Sequence, residues 1–128
     1  MRAKDALPVP TENDEQKALM RWAKFNMGRW PDLRMLLHIP NEGRRDPRTG
    51  YALKQMGLRK GFPDLLLLTP RGTMHGLAIE MKRTKGGKVS AEQAQWIADL
   101  VAQGYAACVC YGWEAAAREI ERYMTEGK

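Results

Sequence analysis

Pro63-Asp64-Leu65-Leu66-Leu67-Leu68 and Leu77-Ala78-Ile79-Glu80-Met81-Lys82 are the two stretches on which the reading of this chain turns. Both are apolar runs of strand length, and each carries a carboxylate that is costly to leave unpaired in a core. Side chains alternate faces along a strand, so Glu80 and Lys82 point the same way. Asp64 heads the first run. Pro70-Arg71-Gly72 lies between the runs and has turn chemistry, which predicts an antiparallel hairpin. Paired in that way, the two runs bring two carboxylates and an ammonium together at one edge of a sheet.

The rest of the chain builds a frame around the hairpin. Residues 1–10, with Pro8 and Pro10, read as a flexible lead-in to one domain over 11–128. Thr11 is an N-cap, and Glu12, Asp14 and Glu15 suit the first turn of the helix that follows. Leu19, Trp22, Ala23 and Asn26 continue it at helical spacing, and residues 28–31 end it. Residues 33–39 predict a first strand, 51–56 a short helix, 64–68 and 77–82 the hairpin strands. Ser90 caps a helix to about Gln103, with Gly104 at its C′ position. A fourth strand over 105–111 and a helix over 113–124 complete the order α-β-(α)-β-β-α-β-α. The last two strands are joined through a helix and are expected to run parallel, so the class is α/β with a mixed four-stranded sheet flanked by helices.

Charge narrows the partners. The 128 residues carry 21 basic and 15 acidic side chains, a net +6. The excess is local. Residues 41–60 hold six basic groups against two acidic, and Lys82, Arg83, Lys85 and Lys88 follow one another with no acid between them. Basic segments on both sides of a carboxylate pair read as a polyanion-binding surface, against the plainer reading of solvated loops. No apolar run approaches the roughly 20 residues of a membrane span, and the first residues lack the apolar stretch of a signal peptide. Cys108 and Cys110 stand two apart in an apolar run, poorly placed to pair with each other and without metal-ligand spacing. They predict reduced thiols and a cytoplasmic, intracellular location.

A phosphodiester resists attack because its negative oxygens repel a nucleophile. A divalent metal offsets that charge, activates bound water and stabilises the leaving oxygen. Mg²⁺ prefers carboxylate oxygens and needs few protein ligands. Asp64 and Glu80 suit that role, the backbone carbonyl of Met81 can add a ligand, and Lys82 can orient or help deprotonate the water. Each residue has a plainer alternative. Glu80 and Lys82 can be a same-face ion pair, and Gly61-Phe62-Pro63-Asp64 can be turn chemistry before a strand.

Gly61-Phe62-Pro63-Asp64-Leu65, Ile79-Glu80-Met81-Lys82 and Val89-Ser90-Ala91-Glu92-Gln93 together resemble the VRR-NUC family. It is a branch of the PD-(D/E)xK nucleases that includes the catalytic domain of the Fanconi-associated nuclease, and the likeness spans nearly the whole chain. The chain is similar to the minimal, stand-alone members known from viruses and bacteria. The resemblance implies a restriction-endonuclease-like core, with Asp64 and Glu80 binding Mg²⁺ or Mn²⁺ and Lys82 catalytic. It also brings Gln93 into the site from the following helix, although Ser90-x-x-Gln93 is equally a capping box. A glutamate from the first helix joins them. Glu12 is preferred because Glu12 to Gln16 matches the family's Glu-x-x-x-Gln pattern, and Glu15 is the alternative.

Asn41, Arg44, Arg45, Lys54, Lys85 and Lys88 are the candidate DNA contacts, with Tyr51 beside them. His38 and His75 lack partners at ligand spacing and read as structural. Trp22, Trp30, Trp96 and Trp113 read as core or subunit contacts rather than base-stacking platforms. The resemblance therefore implies a Mg²⁺-dependent, structure-specific DNA endonuclease needing no nucleotide cofactor. Similarity to stand-alone members implies a homodimeric Holliday-junction resolvase. The rival readings are a flap or other structure-specific nuclease, and a non-catalytic DNA-binding accessory protein.

Overall fold

The computed structural model describes residues 7–40 and 47–126. Helix α1 (Glu12–Phe25) starts where Thr11 predicts. The Thr11 hydroxyl accepts from the Asp14 N–H and the Asp14 carboxylate accepts from the Thr11 N–H, a reciprocal cap. A 3-10 turn (Pro31–Met35) follows, then β1 (Leu36–His38), α2 (Pro47–Gln55), β2 (Leu65–Leu67) and β3 (Leu77–Lys82). Helix α3 (Ala91–Ala102), β4 (Ala106–Tyr111) and α4 (Trp113–Glu126) complete the chain.

The strands lie in the order β1-β2-β3-β4. The first three are antiparallel neighbours, and β4 runs parallel to β3 through the α3 crossover. This is the mixed, helix-flanked sheet that the pattern predicts. Two elements start more than two residues from their expected positions. The strand expected over 33–39 shrinks to three residues, because Pro31 opens a 3-10 turn in which the Leu33 N–H bonds the Trp30 carbonyl and the Leu33 side chain is buried. The short helix begins at Pro47 instead of residue 51, since a proline is well placed in a first turn.

Register determines which residues form the core. Leu65 pairs with Ile79 and Leu67 with Leu77, so these four, with Met81, face one side of the sheet. Leu19 and Ala23 of α1 and Ala116, Ile120 and Met124 of α4 cover them. The other face carries Ala78, Glu80 and Lys82 and is covered by α3. Helix α3 differs from its neighbours: apolar in composition, it buries none of its residues. At the hairpin-turn end of the sheet, Tyr123 donates a buried hydrogen bond of 2.6 Å to the Thr69 carbonyl. A cavity of about 510 Å³ opens there between the turn, the end of α3 and the end of α4. No helix among the described residues is long and apolar enough to cross a membrane.

Candidate active site

The site lies at the opposite end of the sheet, where β3 and β4 finish and α1, α3 and α4 all begin. At this end Asp64 directly precedes β2 and Glu80 stands near the end of β3. Continuing the β2–β3 register by one residue sets Asp64 beside Glu80. An Asp64 carboxylate oxygen accepts from the Met81 N–H at 2.8 Å, which stitches the start of β2 to the end of β3. The turn before it depends on Gly61. Its φ of +87° favours glycine, and a Cβ there would stand 2.7 Å from the Glu92 Cβ and 2.9 Å from the Gln93 nitrogen. The turn is therefore pressed directly onto the first turn of α3, and that contact brings the Asp64 and Gln93 segments together.

Gln93 holds both of its expected positions at once. Its Oε1 accepts from the Ser90 N–H at 2.9 Å, closing the capping box, while its Nε2 donates to Glu80 Oε2 at 3.0 Å. The two readings of the residue are two ends of one amide. Glu80 is only 2 % exposed and Lys82 only 5 %, and Lys82 Nζ stands 3.6 Å from the same Glu80 Oε2. Glu80 Oε1 is buried with no hydrogen-bond partner among the described residues. Burial, then the neighbouring Asp64 carboxylate, pushes the Glu80 carboxyl up to about 8, against the opposing pull of Lys82.

The two glutamates of α1 divide. Glu12 is exposed yet near enough to Glu80 to act on it electrostatically. Glu15 is buried, and its Oε1 accepts from the Trp113 N–H at 3.0 Å, capping the first turn of α4. Among the described residues, no three Asp, Glu, His or Cys side chains gather closely enough to hold a metal by themselves. The compact part is the Asp64–Glu80 pair. Its donors are hard oxygens, and one of them, Glu80 Oε1, is buried without a hydrogen-bond partner among the described residues. That donor set fits Mg²⁺, which needs few protein ligands and keeps several waters.

Lys85 and Lys88 are exposed on the loop after β3. Gly87 ties this loop to the site, because a Cβ on it would lie 3.1 Å from the Lys82 Cβ. Lys54 is exposed on α2, which buries nothing, and no described contact joins it to the carboxylates. Asn41, Arg44 and Arg45 lie outside the described residues. Three further features adjoin the site without a clear sequence signal. His38 Nδ1 lies 3.0 Å from the Asp64 carbonyl oxygen. Arg83 has a buried Nε with no partner among the described residues. Phe62 packs against Trp96.

Comparison with known proteins agrees with this geometry. The model of the VRR-NUC domain matches residues 10–114. The chain belongs to the VRR-NUC family. A solved structure described as a VRR_NUC domain protein is 28 % identical, with a TM-score of 0.79, and the match covers 94 % of this chain and 93 % of that one. No curated protein matches the chain. The family is one of nucleases, generally dependent on divalent metal, so the chain carries a nuclease domain whose substrate is nucleic acid.

Proposed function

We propose that this VRR-NUC domain, over residues 11–128, is a Mg²⁺-dependent, structure-specific DNA endonuclease. The observation that carries the reading is the juxtaposition of Asp64, Glu80, Lys82 and Gln93 at the end of β3, with an orphaned carboxylate oxygen among them. Asp64, Glu80 and the Met81 carbonyl would hold the cation, with Glu12 contributing from α1. Mn²⁺ would substitute. Once bound, the cation supplies charge neutralisation at the phosphate and a lowered pKa for the attacking water. Lys82 orients that water from the Glu80 side and balances charge on the phosphate. Gln93 holds Glu80 in place, and the α3 cap holds Gln93. Lys85 and Lys88 bind flanking phosphates, with Arg44, Arg45, Lys54 and Asn41 as further contacts.

For the substrate we favour a four-way DNA junction cut by a homodimer, because a two-fold dimer presents two sites to a junction of near two-fold symmetry. The outer edge of β4, unpaired among the described residues, and the apolar, unburied α3 are surfaces a second copy would use. Junction, flap and linear duplex DNA should be incubated with Mg²⁺, Mn²⁺ or EDTA, beside Asp64→Ala and Lys82→Ala. Metal-dependent cutting that drops at least ~100-fold in both variants is expected. Wild-type protein that cuts nothing, or variants that cut equally well, would sink the enzymatic reading. Paired symmetric nicks identify the dimeric resolvase, and cutting confined to flaps excludes it. Replacing Lys85 and Lys88 together should lower the slope of log affinity against log salt by about 2. An unchanged slope removes them from the interface.

A further inference from the structure

A small cavity adjoins the segment that carries Asp64, since the Ile39 N–H on its wall bonds the Asp64 carbonyl at 2.8 Å. It encloses about 250 Å³ and is lined chiefly by Ile39, Pro40, Leu58, Arg59, Phe62 and Trp96. Its walls are aliphatic and aromatic, with a single guanidinium. Phe62 and Trp96 meet edge to face, their centroids 4.9 Å apart and their planes at 79°. The Trp96 indole N–H is committed to the Lys60 carbonyl at 3.1 Å, so the ring is held in one orientation while remaining only half-buried.

Both aromatic rings are carried by the segments that build the site. Phe62 precedes Asp64 by two residues, and Trp96 follows Gln93 by three, one turn along the same side of α3. The volume falls below the ~300–1,000 Å³ usual for sites of drug-sized ligands, which suits a single planar ring system. The rim is basic. Arg59 and Lys60 are exposed there, and the Lys60–Glu92 pair, at 3.9 Å between exposed side chains, is weak enough to leave Lys60 to a phosphate. An aromatic slot with a guanidinium at its mouth, beside carboxylates suited to phosphodiester chemistry, is the composition that receives a base while its phosphate is neutralised.

We propose that this cavity holds an unpaired nucleobase of the strand being cut, and so selects DNA with a single-stranded or displaced nucleotide beside the scissile bond. The inference rests on the nuclease reading above for the words "being cut", but the binding it describes does not need catalysis. A base in a continuous duplex must first be unstacked and unpaired, whereas a flap offers a free base and an open junction centre offers one more readily.

The test is 2-aminopurine placed at successive positions of a single strand and of the matching duplex, titrated with the full chain in EDTA. Quenching at a restricted set of single-strand positions, absent from the duplex, is expected. An abasic site at the quenched position, and separately Trp96→Leu, should each weaken single-strand binding by about 10-fold. The abasic arm leaves the protein untouched, so it decides the matter even if Trp96→Leu melts early. Equal quenching of duplex and single strand, or binding indifferent to the abasic site, overturns the proposal. Cleavage with Mg²⁺ is read separately on the same DNAs. Site-specific quenching without any cutting supports the base pocket and refutes the nuclease reading. Cutting that ignores the abasic site refutes the pocket alone.

Discussion

The α1–α4 junction and the end of β3 each bury a glutamate, and the two are treated in opposite ways. Glu15 is 4 % exposed and caps the first turn of α4 through the Trp113 N–H, where the helix dipole also favours an anion. Glu80 is 2 % exposed, keeps one oxygen without a partner among the described residues and faces a second carboxylate. One glutamate completes the fold. The other is held in an environment that the fold alone does not stabilise, as expected where binding a cation repays the cost. The difference in partners distinguishes the two acids more sharply than burial does, since burial is nearly the same for both.

That contrast breaks most visibly in paired substitutions. Glu80→Gln keeps the shape and should lower cleavage at least ~100-fold without lowering the melting temperature in EDTA. Glu15→Ala leaves the Trp113 N–H without its partner and should cost about 1–3 kcal/mol in denaturant unfolding, with Glu15→Gln recovering most of it. Equal loss of stability in Glu80→Gln and Glu15→Ala would erase the distinction.

Gly61→Ala probes the contact that positions Gln93 over Glu80. A side chain at positive φ, within 2.7 Å of the Glu92 Cβ, forces the turn off α3. A loss of about 2 kcal/mol or more is expected, with weakened cleavage in whatever remains folded. A silent Gly61→Ala would mean that α3 and the turn are not rigidly coupled.

A pH dependence carried by Glu80 tests the contrast from another side. Its folded carboxyl lies near 8, against an ordinary 4.5, so the folded state retains a proton that the unfolded chain releases. The contribution to stability is full below about 4.5 and is lost as pH rises through about 8. Melting temperature in EDTA should fall across that window, and Glu80→Gln should flatten the fall. Saturating Mg²⁺ should restore stability at the alkaline side. A wild-type profile that rises with pH over this range contradicts the assignment.

Several features were legible because their causes are local. Thr11 and Ser90 cap helices through bonds three residues long, the Leu runs carry strand periodicity, and a helix between two strands makes them parallel. Asp64, Glu80, Lys82 and Gln93 stood out for a related reason, since charged groups in apolar strands and caps are visible at short range. The 3-10 turn at Pro31–Met35 was hidden because its apolar residues also fit a strand, and Leu33 is buried either way.

What the chain determined by itself was therefore the hairpin of β2 and β3, its carboxylates and the lysine two residues after Glu80. Periodicity and turn chemistry act over a few residues and survive without the rest of the molecule. Tertiary structure decided which glutamate of α1 is free, because the Glu15 partner lies 98 residues away on α4. It also joined the two readings of Gln93 and set Phe62 against Trp96 beside the site. Those outcomes depend on how α1, α3 and α4 converge at one end of the sheet, and no local pattern encodes a contact between helix starts so distant in sequence.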